Sequence, residues 1–254
     1  MRGLSLTILL LLSCSPGGGG IVSLAPSADE IIVAVGGKDA LKGVSTYSKV
    51  KGVPRVGDLL NPDYERLLSM RPDVVIVVLP MQRRVKERLD KLSLRTFDFS
   101  PESVEELVRD IRRLGKLVGR EREADRLADS ISRAVSSIKP LGAFTFYVEL
   151  SSKPVFVAGD STYIAHIVRK FGGKNLYGHL KGYAPVSTED ILSRKPDIVF
   201  TTSDPKERIG LNACMVRLKH DEVSPGLSIF SLLKTLERGI DSCLSVRTGD
   251  GGRP

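Results

Sequence analysis

Two glutamates occupy matching positions in a repeated stretch of this 254-residue chain. Residues 61–78 read NPDYERLLSMRPDVVIVV, and residues 186–202 read VSTEDILSRKPDIVFTT. With Glu65 placed over Glu189, 124 residues later, both follow the pattern E-x-[IL]-L-S-x-[KR]-P-D-[IV]-V. Each carboxylate could pair with a cationic partner, or could be an ordinary solvated position on a helix. A duplication at this spacing predicts two similar half-molecules.

The sequence carries no catalytic signature. It contains neither the H-E-x-x-H zinc motif nor the G-x-x-x-x-G-K-[ST] phosphate loop. The triplet Gly159-Asp160-Ser161 begins like a G-x-S-x-G nucleophile elbow, but Tyr163 stands where the second glycine belongs. A helix-capping role suits Ser161 better, and we predict that the protein is not an enzyme.

The positions of the histidines argue against a free metal ion as the ligand. His166, His179 and His220 all lie in the second half of the chain. A zinc or manganese ion held between two lobes would take nitrogen or carboxylate ligands from both of them. We therefore predict no metal site, and place these histidines on a helix surface and in loops.

Three tyrosines stand close to predicted strands: Tyr47, Tyr147 and Tyr183. In a cleft, aromatic rings near strand ends could stack on a large, flat ligand. Ordinary packing in the core or at its rim explains them equally well.

The first 20 residues are predicted to be a signal peptide and tether rather than part of the fold. Met1-Arg2 is a positively charged start, and residues 4–12 form an apolar run too short to cross a membrane. The Leu-Leu-Ser before Cys14 resembles a bacterial lipobox, which would make Cys14 the lipidated first residue of the mature chain. Residues 15–20 would then be a short flexible tether. A plain secretory signal with an incidental cysteine is the alternative.

The net charge of +8 does not indicate a nucleic-acid-binding protein. An exported protein rarely meets nucleic acid, and the basic residues are spread along the chain. The charge instead fits solubility, an anionic membrane surface or an anionic ligand. Of the remaining cysteines, Cys214 and Cys243 could form a disulfide after export or stay as two free thiols.

The remaining sequence predicts an α/β fold with two similar lobes. Apolar runs typical of buried parallel strands, such as residues 74–79, alternate with helical patterns on both sides of a long helical stretch. The predicted organisation is an N-terminal lobe at 21–119, a linking helix at 120–138, a C-terminal lobe at 139–241 and a disordered tail at 242–254. Central, mainly parallel sheets place a ligand cleft between the lobes, at the carboxyl ends of the strands.

Five longer stretches carry a resemblance to a known family. In the first half they are IVSLAPSADEIIVAVGGKDALKGVSTYS, VPRVGD and NPDYERLLSMRPDVVIV; in the second half they are PVFVAGDSTYIAHIVRKFGGKNLYG and YAPVSTEDILSRKPDIVF. Together they resemble the periplasmic binding proteins of ABC importers for cobalamin, ferric siderophores and haem. The resemblance covers residues 21–238.

The resemblance implies a function, a location and partners. It implies an extracytoplasmic solute-binding lipoprotein, anchored in the cell envelope, that captures a metal chelate and delivers it to a membrane permease. The two lobes would be rigidly joined by the long helix. The implied partners are the ABC permease dimer with its cytoplasmic ATPase and the chelate itself, and the protein would be a monomer without a resident cofactor. A binding protein for free zinc or manganese is the alternative.

The resemblance also assigns roles to residues. Glu65 and Glu189 match the glutamates with which each lobe docks onto arginines of the permease. The cleft candidates, by their position relative to the matching motifs, are Pro26, Ser27, Tyr47, Asp58, Leu59, Tyr147, Gly159, Asp160 and Tyr183. Two departures bear on the ligand: the chain has no tryptophan, and residues 223–226 read Val-Ser-Pro-Gly where the family often has an arginine before Pro-Gly.

Overall fold

The structure of the protein, a computed structural model, describes residues 20–204 and 212–249, with the backbone alone for 247–249. Two β-sheets, one in each half of the chain, are connected by a pair of helices. The first half comprises β1 Ile21–Ser23, α1 Pro26–Ala34, a 3-10 turn Lys38–Ala40, β2 Leu41–Val44, α2 Tyr64–Ser69, β3 Val74–Val77, α3 Arg83–Lys91 and β4 Thr96–Asp98. The connecting pair is α4 Val104–Leu117 and α5 Glu121–Ser136. The second half comprises β5 Phe144–Ser152, β6 Val155–Ala158, α6 Tyr163–Lys170, β7 Gly173–Asn175, β8 Tyr183–Pro185, α7 Thr188–Arg194, β9 Ile198–Thr201, β10 Cys214–Arg217 and α8 Ile229–Gly249.

The N-terminal sheet is fully parallel. Its four strands lie in the order β2–β1–β3–β4. The Val-Val-Ile-Val of β3 is buried at every position, because helices cover both faces of such a sheet. Parallel strands end at one common edge, so the loops that follow β1, β2 and β3 meet there. We call this edge the N-terminal rim.

The C-terminal sheet is mainly parallel but has an antiparallel part. β9 and β7 run parallel to β5, and β10 runs parallel to β9. β6 turns back after β5 and runs antiparallel to both β5 and β8. Sequence analysis did not predict β6, β7 or β8.

The repeated motif folds into the same junction in both lobes. A left-handed residue follows each helix, Arg71 two positions after α2 and Lys195 directly after α7, and both have a φ of 47°. The Pro-Asp pair that follows then leads into β3 or β9. The sequence repeat is therefore also a structural repeat, down to an unusual backbone conformation.

An aspartate fixes this junction to the neighbouring strand in each sheet. The Asp73 carboxylate accepts a hydrogen bond from the amide of Gly20 at 3.0 Å, just before β1. The Asp197 carboxylate accepts one from the amide of Thr145 at 2.7 Å, in β5. The aspartate amides donate back to the carbonyl oxygens of the same two residues, at 2.8 and 3.1 Å. Each sheet thus has its central strand pair fixed in register by one side chain.

The predicted linking helix is α5, which begins and ends slightly inside the expected bounds. It packs against α4 so closely that a Cβ added to Gly115 would lie 2.2 Å from the Cβ of Ala124. α4 also contacts α1 and α6, and α5 contacts α8. Because both helices of the pair touch the second half of the chain, the connection is a braced pair rather than an isolated helix.

One cluster of buried apolar side chains runs through both lobes. It includes Ile31 of α1, Ile111 and Ile131 of the helical pair, Ile164 of α6 and Phe200 of β9. A shared core of this kind opposes hinge motion, because separating the lobes would expose apolar surface to water. Within the residues that the structure describes, no helix is long and apolar enough to cross a membrane.

The end of the chain differs from the prediction. α8 continues to Gly249, so the disordered tail expected from Ser242 is wrong for residues 242–249, and 250–254 lie outside the described residues. The helix continues because Ile240 and Cys243 are buried against the second lobe. Cys243 forms a disulfide with Cys214 of β10, with a Cα–Cα distance of 5.7 Å, which answers the question that the sequence left open.

Removing this disulfide is expected to destabilise the protein. For a separation of 29 residues, the loss of the cross-link should lower the free energy of unfolding by about 3–4 kcal/mol. Urea denaturation of a Cys214→Ser/Cys243→Ser variant measures the effect. Reduced wild-type protein should match the variant, and equal midpoints for oxidised and reduced wild type would contradict the prediction.

Candidate ligand cleft and docking helices

A buried glutamine holds the loops of the N-terminal rim together. The Gln82 amide donates to the carbonyl oxygens of Leu24 and Leu59, both at 3.0 Å, and its own oxygen accepts from the amide of Val78 at 2.8 Å. These three positions belong to the segment after β1, the loop before α2 and the end of β3. Sequence analysis missed Gln82; the only signal was a polar residue at the start of a helix beside a buried strand.

Exposed apolar side chains lie along the same rim. Tyr47, Leu60 and Met81 are 63%, 54% and 52% exposed. Tyr47 and Leu60 belong to the long connection between β2 and α2, and Met81 belongs to the loop between β3 and α3. Several large apolar side chains in water at one edge of a sheet mark a binding surface more often than scattered single exposures do. Tyr47 was predicted from the sequence, whereas Leu60 and Met81 were not.

The other N-terminal candidates shape this rim. The Asp58 carboxylate accepts from the amides of Leu60 and Asn61 at 2.7 and 2.8 Å, and so folds its own loop. Leu59 is half-buried, and its carbonyl oxygen accepts a hydrogen bond from the Gln82 side-chain amide. Pro26 and Ser27 are half-buried in the first turn of α1.

In the C-terminal lobe, the candidates Gly159 and Asp160 belong to a loop that is hydrogen-bonded to Gly182. The Gly159 amide donates to the Gly182 carbonyl oxygen at 2.8 Å, and the Gly182 amide donates to Ser161 Oγ at 2.8 Å. Only glycine fits at 159, because an added Cβ would lie 2.0 Å from the Leu180 carbonyl oxygen. The Asp160 carboxylate forms an ion pair with Arg169, with 3.4 Å between Asp160 Oδ2 and a terminal guanidinium nitrogen. The predicted capping role of Ser161 is wrong, since Thr162 caps α6 instead.

Tyr183 is the first residue of β8, in the second half of the chain. It exposes 44% of its surface, yet desolvation by the surrounding protein, with a smaller contribution from the Glu102 carboxylate, raises the pKa of its phenol to about 12. A side chain that is open to solvent and also closely surrounded by protein fits a concave surface. Glu102 belongs to the segment between β4 and α4, so a carboxylate from the first half of the chain lies near this phenol.

Tyr147 is wrong as a cleft candidate. It is fully buried in a second-lobe cluster with Val157, Ile191 and Val199, and its ring contacts Tyr177 edge-on with centroids 5.8 Å apart. The sequence placed it correctly in a strand, but the side chains of a strand alternate between two faces. Here the relevant face is covered by α7 and the 176–180 loop.

An ion-pair cluster and a close backbone contact also join the two lobes, at a boundary that we call the seam, marked by Lys49 with Asp221 and by Ser27 with Gly226. Lys49 Nζ lies 3.3 Å from Glu30 of α1 and 3.1 Å from Asp221 of the second lobe. Gly226 lies against Ser27, since an added Cβ would be 3.3 Å from the serine Cβ. An open groove of about 500 Å³ runs beside this seam and is lined by Glu30, Val33, Ala34, Lys38, Lys49, Val50, Lys51 and Leu227.

The histidines lie as the sequence predicted. His179 and His220 are exposed in loops, and His166 is on α6, where its Nε2 lies 3.2 Å from Glu105 of α4. Across residues 20–204 and 212–249, no three His, Cys, Asp or Glu side chains converge in a way that could hold a metal ion.

The two candidate docking glutamates occupy equivalent helix positions. Glu65 and Glu189 are each the second residue of their helix, and both are exposed. The capping residues Asp63 and Ser187 accept from the amides of Arg66 and Asp190 at 3.0 and 3.1 Å. Hydrogen bonding to its own amide and to Ser187 lowers the pKa of Glu189, which keeps it ionised. A carboxylate at this position is also favoured by the helix dipole.

Comparison with known proteins places this architecture in a family. The family model described as periplasmic binding protein matches residues 21–213. The chain belongs to the periplasmic binding protein family. That family consists of transport receptors rather than enzymes, which confirms the predictions of the family and of a non-enzymatic role.

Two sequence relatives illustrate the family. An uncharacterized ABC transporter substrate-binding lipoprotein of Bacillus subtilis, YvrC, is 28% identical over 205 residues, covering 74% of this chain and 65% of YvrC. The vitamin B12-binding protein of a Vibrio cholerae strain is 25% identical over 193 residues, covering 72% of this chain and 70% of that protein. The chain therefore spans slightly less than two thirds of YvrC.

A solved structure shows the same fold. The periplasmic vitamin B12 binding protein BtuF of Vibrio cholerae superposes with a TM-score of 0.74 at 22% identity, covering 90% of this chain and 97% of BtuF. This likeness confirms the predicted α/β fold with mainly parallel sheets.

One buried carboxylate at the N-terminal rim has an unusual environment. Asp29 of α1 is fully buried, and among the described residues neither of its carboxylate oxygens has a hydrogen-bond partner of good geometry. Burial raises the pKa of Asp29 to about 6, and the nearby hydroxyls of Ser23 and Ser48 and the guanidinium of Arg55 offset this only in part. Asp29 is therefore ionised at neutral pH at a cost to stability.

An Asp29→Asn variant is expected to be more stable than wild type at high pH. Unfolded Asp29 loses its proton near pH 3.8 and folded Asp29 near pH 6, so wild-type stability falls as the pH rises through this range. The gain of the variant in free energy of unfolding should be about 3 kcal/mol at pH 8 and about 1 kcal/mol at pH 4.5. Urea denaturation at both pH values measures it. The exposed Asp39→Asn serves as the control, and a gain that does not change with pH would argue against the prediction.

Proposed function

We propose that the protein is the extracytoplasmic solute-binding component of an ABC importer, which captures a metal chelate and hands it to a membrane permease. The observation that carries this proposal is the duplicated helix start, which presents one exposed, capped glutamate from each lobe. Two equivalent carboxylates on two rigidly connected lobes suit a partner with two-fold symmetry. Binding and delivery by this route break no covalent bond, in agreement with the family.

The ligand is proposed to be a large chelate, a corrinoid or a ferric siderophore or haem. The exposed side chains of Tyr47, Leu60 and Met81 on one lobe and Tyr183 on the other offer apolar and aromatic contact area, which such ligands need. The vitamin B12-binding relative from Vibrio cholerae favours a corrinoid. The lack of tryptophan leaves tyrosine as the aromatic group that could stack on a flat ring.

The location follows from the family and from one residue outside the described part of the chain. Periplasmic binding proteins act outside the cytoplasm with a permease and an ATPase. Anchoring through a lipidated Cys14, which lies outside the described residues, is our proposal. The name of the Bacillus subtilis relative, a substrate-binding lipoprotein, supports it. We also propose that the protein works as a monomer.

A thermal-shift panel on lipid-free residues 15–254 tests the ligand class. A ligand present at 100 times its dissociation constant adds about 2.7 kcal/mol to the free energy of unfolding. For a protein of this size, that should raise Tm by roughly 5–10 °C. The panel contains cyanocobalamin, cobinamide, haemin, several ferric siderophores, zinc and manganese, and we expect a shift with one chelate class. A shift with a free metal ion alone would favour the alternative, and no shift at all would count against a solute-binding function.

Neutralising the two glutamates should separate docking from ligand binding. Glu65→Gln and Glu189→Gln are each expected to weaken binding to the permease dimer about 10- to 100-fold, because a charge-assisted hydrogen bond contributes about 1.5–3 kcal/mol. Ligand affinity should stay unchanged. The measurement is biolayer interferometry on the permease whose transport depends on this chain, purified in nanodiscs.

The exposed Glu87→Gln on α3 provides the matched control for charge removal. It should bind like wild type, and the effect of the two docking variants should shrink as salt rises. If the glutamate variants instead lose ligand affinity, the carboxylates belong to the cleft and the docking role is wrong.

A further inference from the structure

Each candidate docking helix exposes a leucine beside its glutamate. Leu68 and Leu192 are 39% and 42% exposed, and each follows its glutamate by three residues. Residues three apart on a helix lie on the same face, with Cβ atoms about 5–6 Å apart. Each lobe therefore presents a carboxylate and an isobutyl group side by side.

The surroundings of the two leucines match as well. The residues just before them, Leu67 and Ile191, are buried and hold each helix to its lobe. The residues just after them, Ser69 and Ser193, donate their hydroxyls to the backbone carbonyl three positions earlier, both at 2.7 Å. The serine hydroxyls are thus turned back onto the helix, and the leucine is the large side chain that extends outward.

Scattered exposed leucines are common on protein surfaces and need no explanation. This exposure differs because it occurs twice, at the same position of a duplicated unit. The other exposed positions on these faces are polar, and the residue after the glutamate changes from Arg66 to Asp190 between the two copies. The charge around the glutamate therefore varies between the lobes, while the exposed leucine does not.

We propose that Leu68 and Leu192 are apolar anchors of the docking surface, each entering a socket on the permease next to the group that pairs with the glutamate. This inference rests on the proposed function, since the partner that would bind this surface is the two-fold permease dimer. A dimer of identical subunits offers the same patch twice, and the two lobes offer the same glutamate–leucine pair twice. The leucines exclude water around the ion pairs, which strengthens the attraction between the charges.

The two kinds of contact respond differently to salt. Attraction between exposed charges is screened within about 10 Å at 0.1 M ionic strength, whereas apolar contact is not screened. Binding that rests only on the glutamates would largely disappear at high salt. Binding that also uses the leucines keeps an apolar part under those conditions.

Serine substitutions test the anchors. Leu68→Ser and Leu192→Ser are each expected to weaken binding to the nanodisc-embedded permease about tenfold, mainly through faster dissociation, at both 50 and 500 mM NaCl. The double variant should lose about 100-fold, and Leu68→Met should restore most of the affinity. Ligand affinity and Tm of each variant confirm that cleft and fold are intact.

Leu92→Ser is the matched control. Leu92 is 38% exposed at the far end of α3, outside the duplicated unit, and its replacement should leave binding unchanged. The proposal is overturned if the Leu68 and Leu192 variants bind like this control while Glu65→Gln and Glu189→Gln lose binding, because docking then stands without apolar anchors. If all four variants bind like wild type, the docking role of the glutamates fails too.

Discussion

A single type of hydrogen bond, repeated in the two lobes, fixes the geometry on which the rest depends. In each sheet, the carboxylate of the repeated Pro-Asp pair accepts a hydrogen bond from a backbone amide in or just before the adjacent strand, Gly20 for Asp73 and Thr145 for Asp197. Because a one-residue slip would send every side chain to the opposite face, this bond defines which residues are buried. It also anchors the end of the preceding helix to the sheet, whereas the start of that helix, next to the glutamate, is capped by Asp63 or Ser187.

The sequence predicted the parts of the fold that follow from periodicity and repetition. Strand β3 lies in a continuous apolar run, and α5 has a helical period over 16 residues. The equivalence of Glu65 and Glu189 follows from the duplicated motif. The strands β7 and β8 could not be predicted, because Gly-Lys-Asn and Tyr-Ala-Pro contain no run of β-branched residues. β6 reads Val-Phe-Val-Ala, which does carry a strand pattern, and it was missed. The helix beyond Ser242 was missed because tertiary contacts and a disulfide stabilise it, and neither appears in local propensity.

The cleft was predicted less well than the fold, for a physical reason. A motif fixes the position of a residue along the chain, but exposure depends on which face of a strand the neighbouring elements cover. Tyr47 and Tyr183 reach solvent, whereas Tyr147 points into the packed interior beside Tyr177. Gln82 shows the opposite case, because its importance comes from bonds to two distant carbonyl groups that no local pattern encodes.

The disulfide affects when, after synthesis, the C-terminal lobe reaches its full stability. Its two sulfurs connect the edge strand β10 to the last helix, so the cross-link can form only after nearly the whole polypeptide has been made. In a reducing cytoplasm, the thiols stay apart and the newly made chain lacks this stabilisation. In an oxidising compartment, the bond closes and the C-terminal lobe gains it. The C-terminal lobe is therefore less stable while the chain is in reducing surroundings than after it reaches an oxidising compartment.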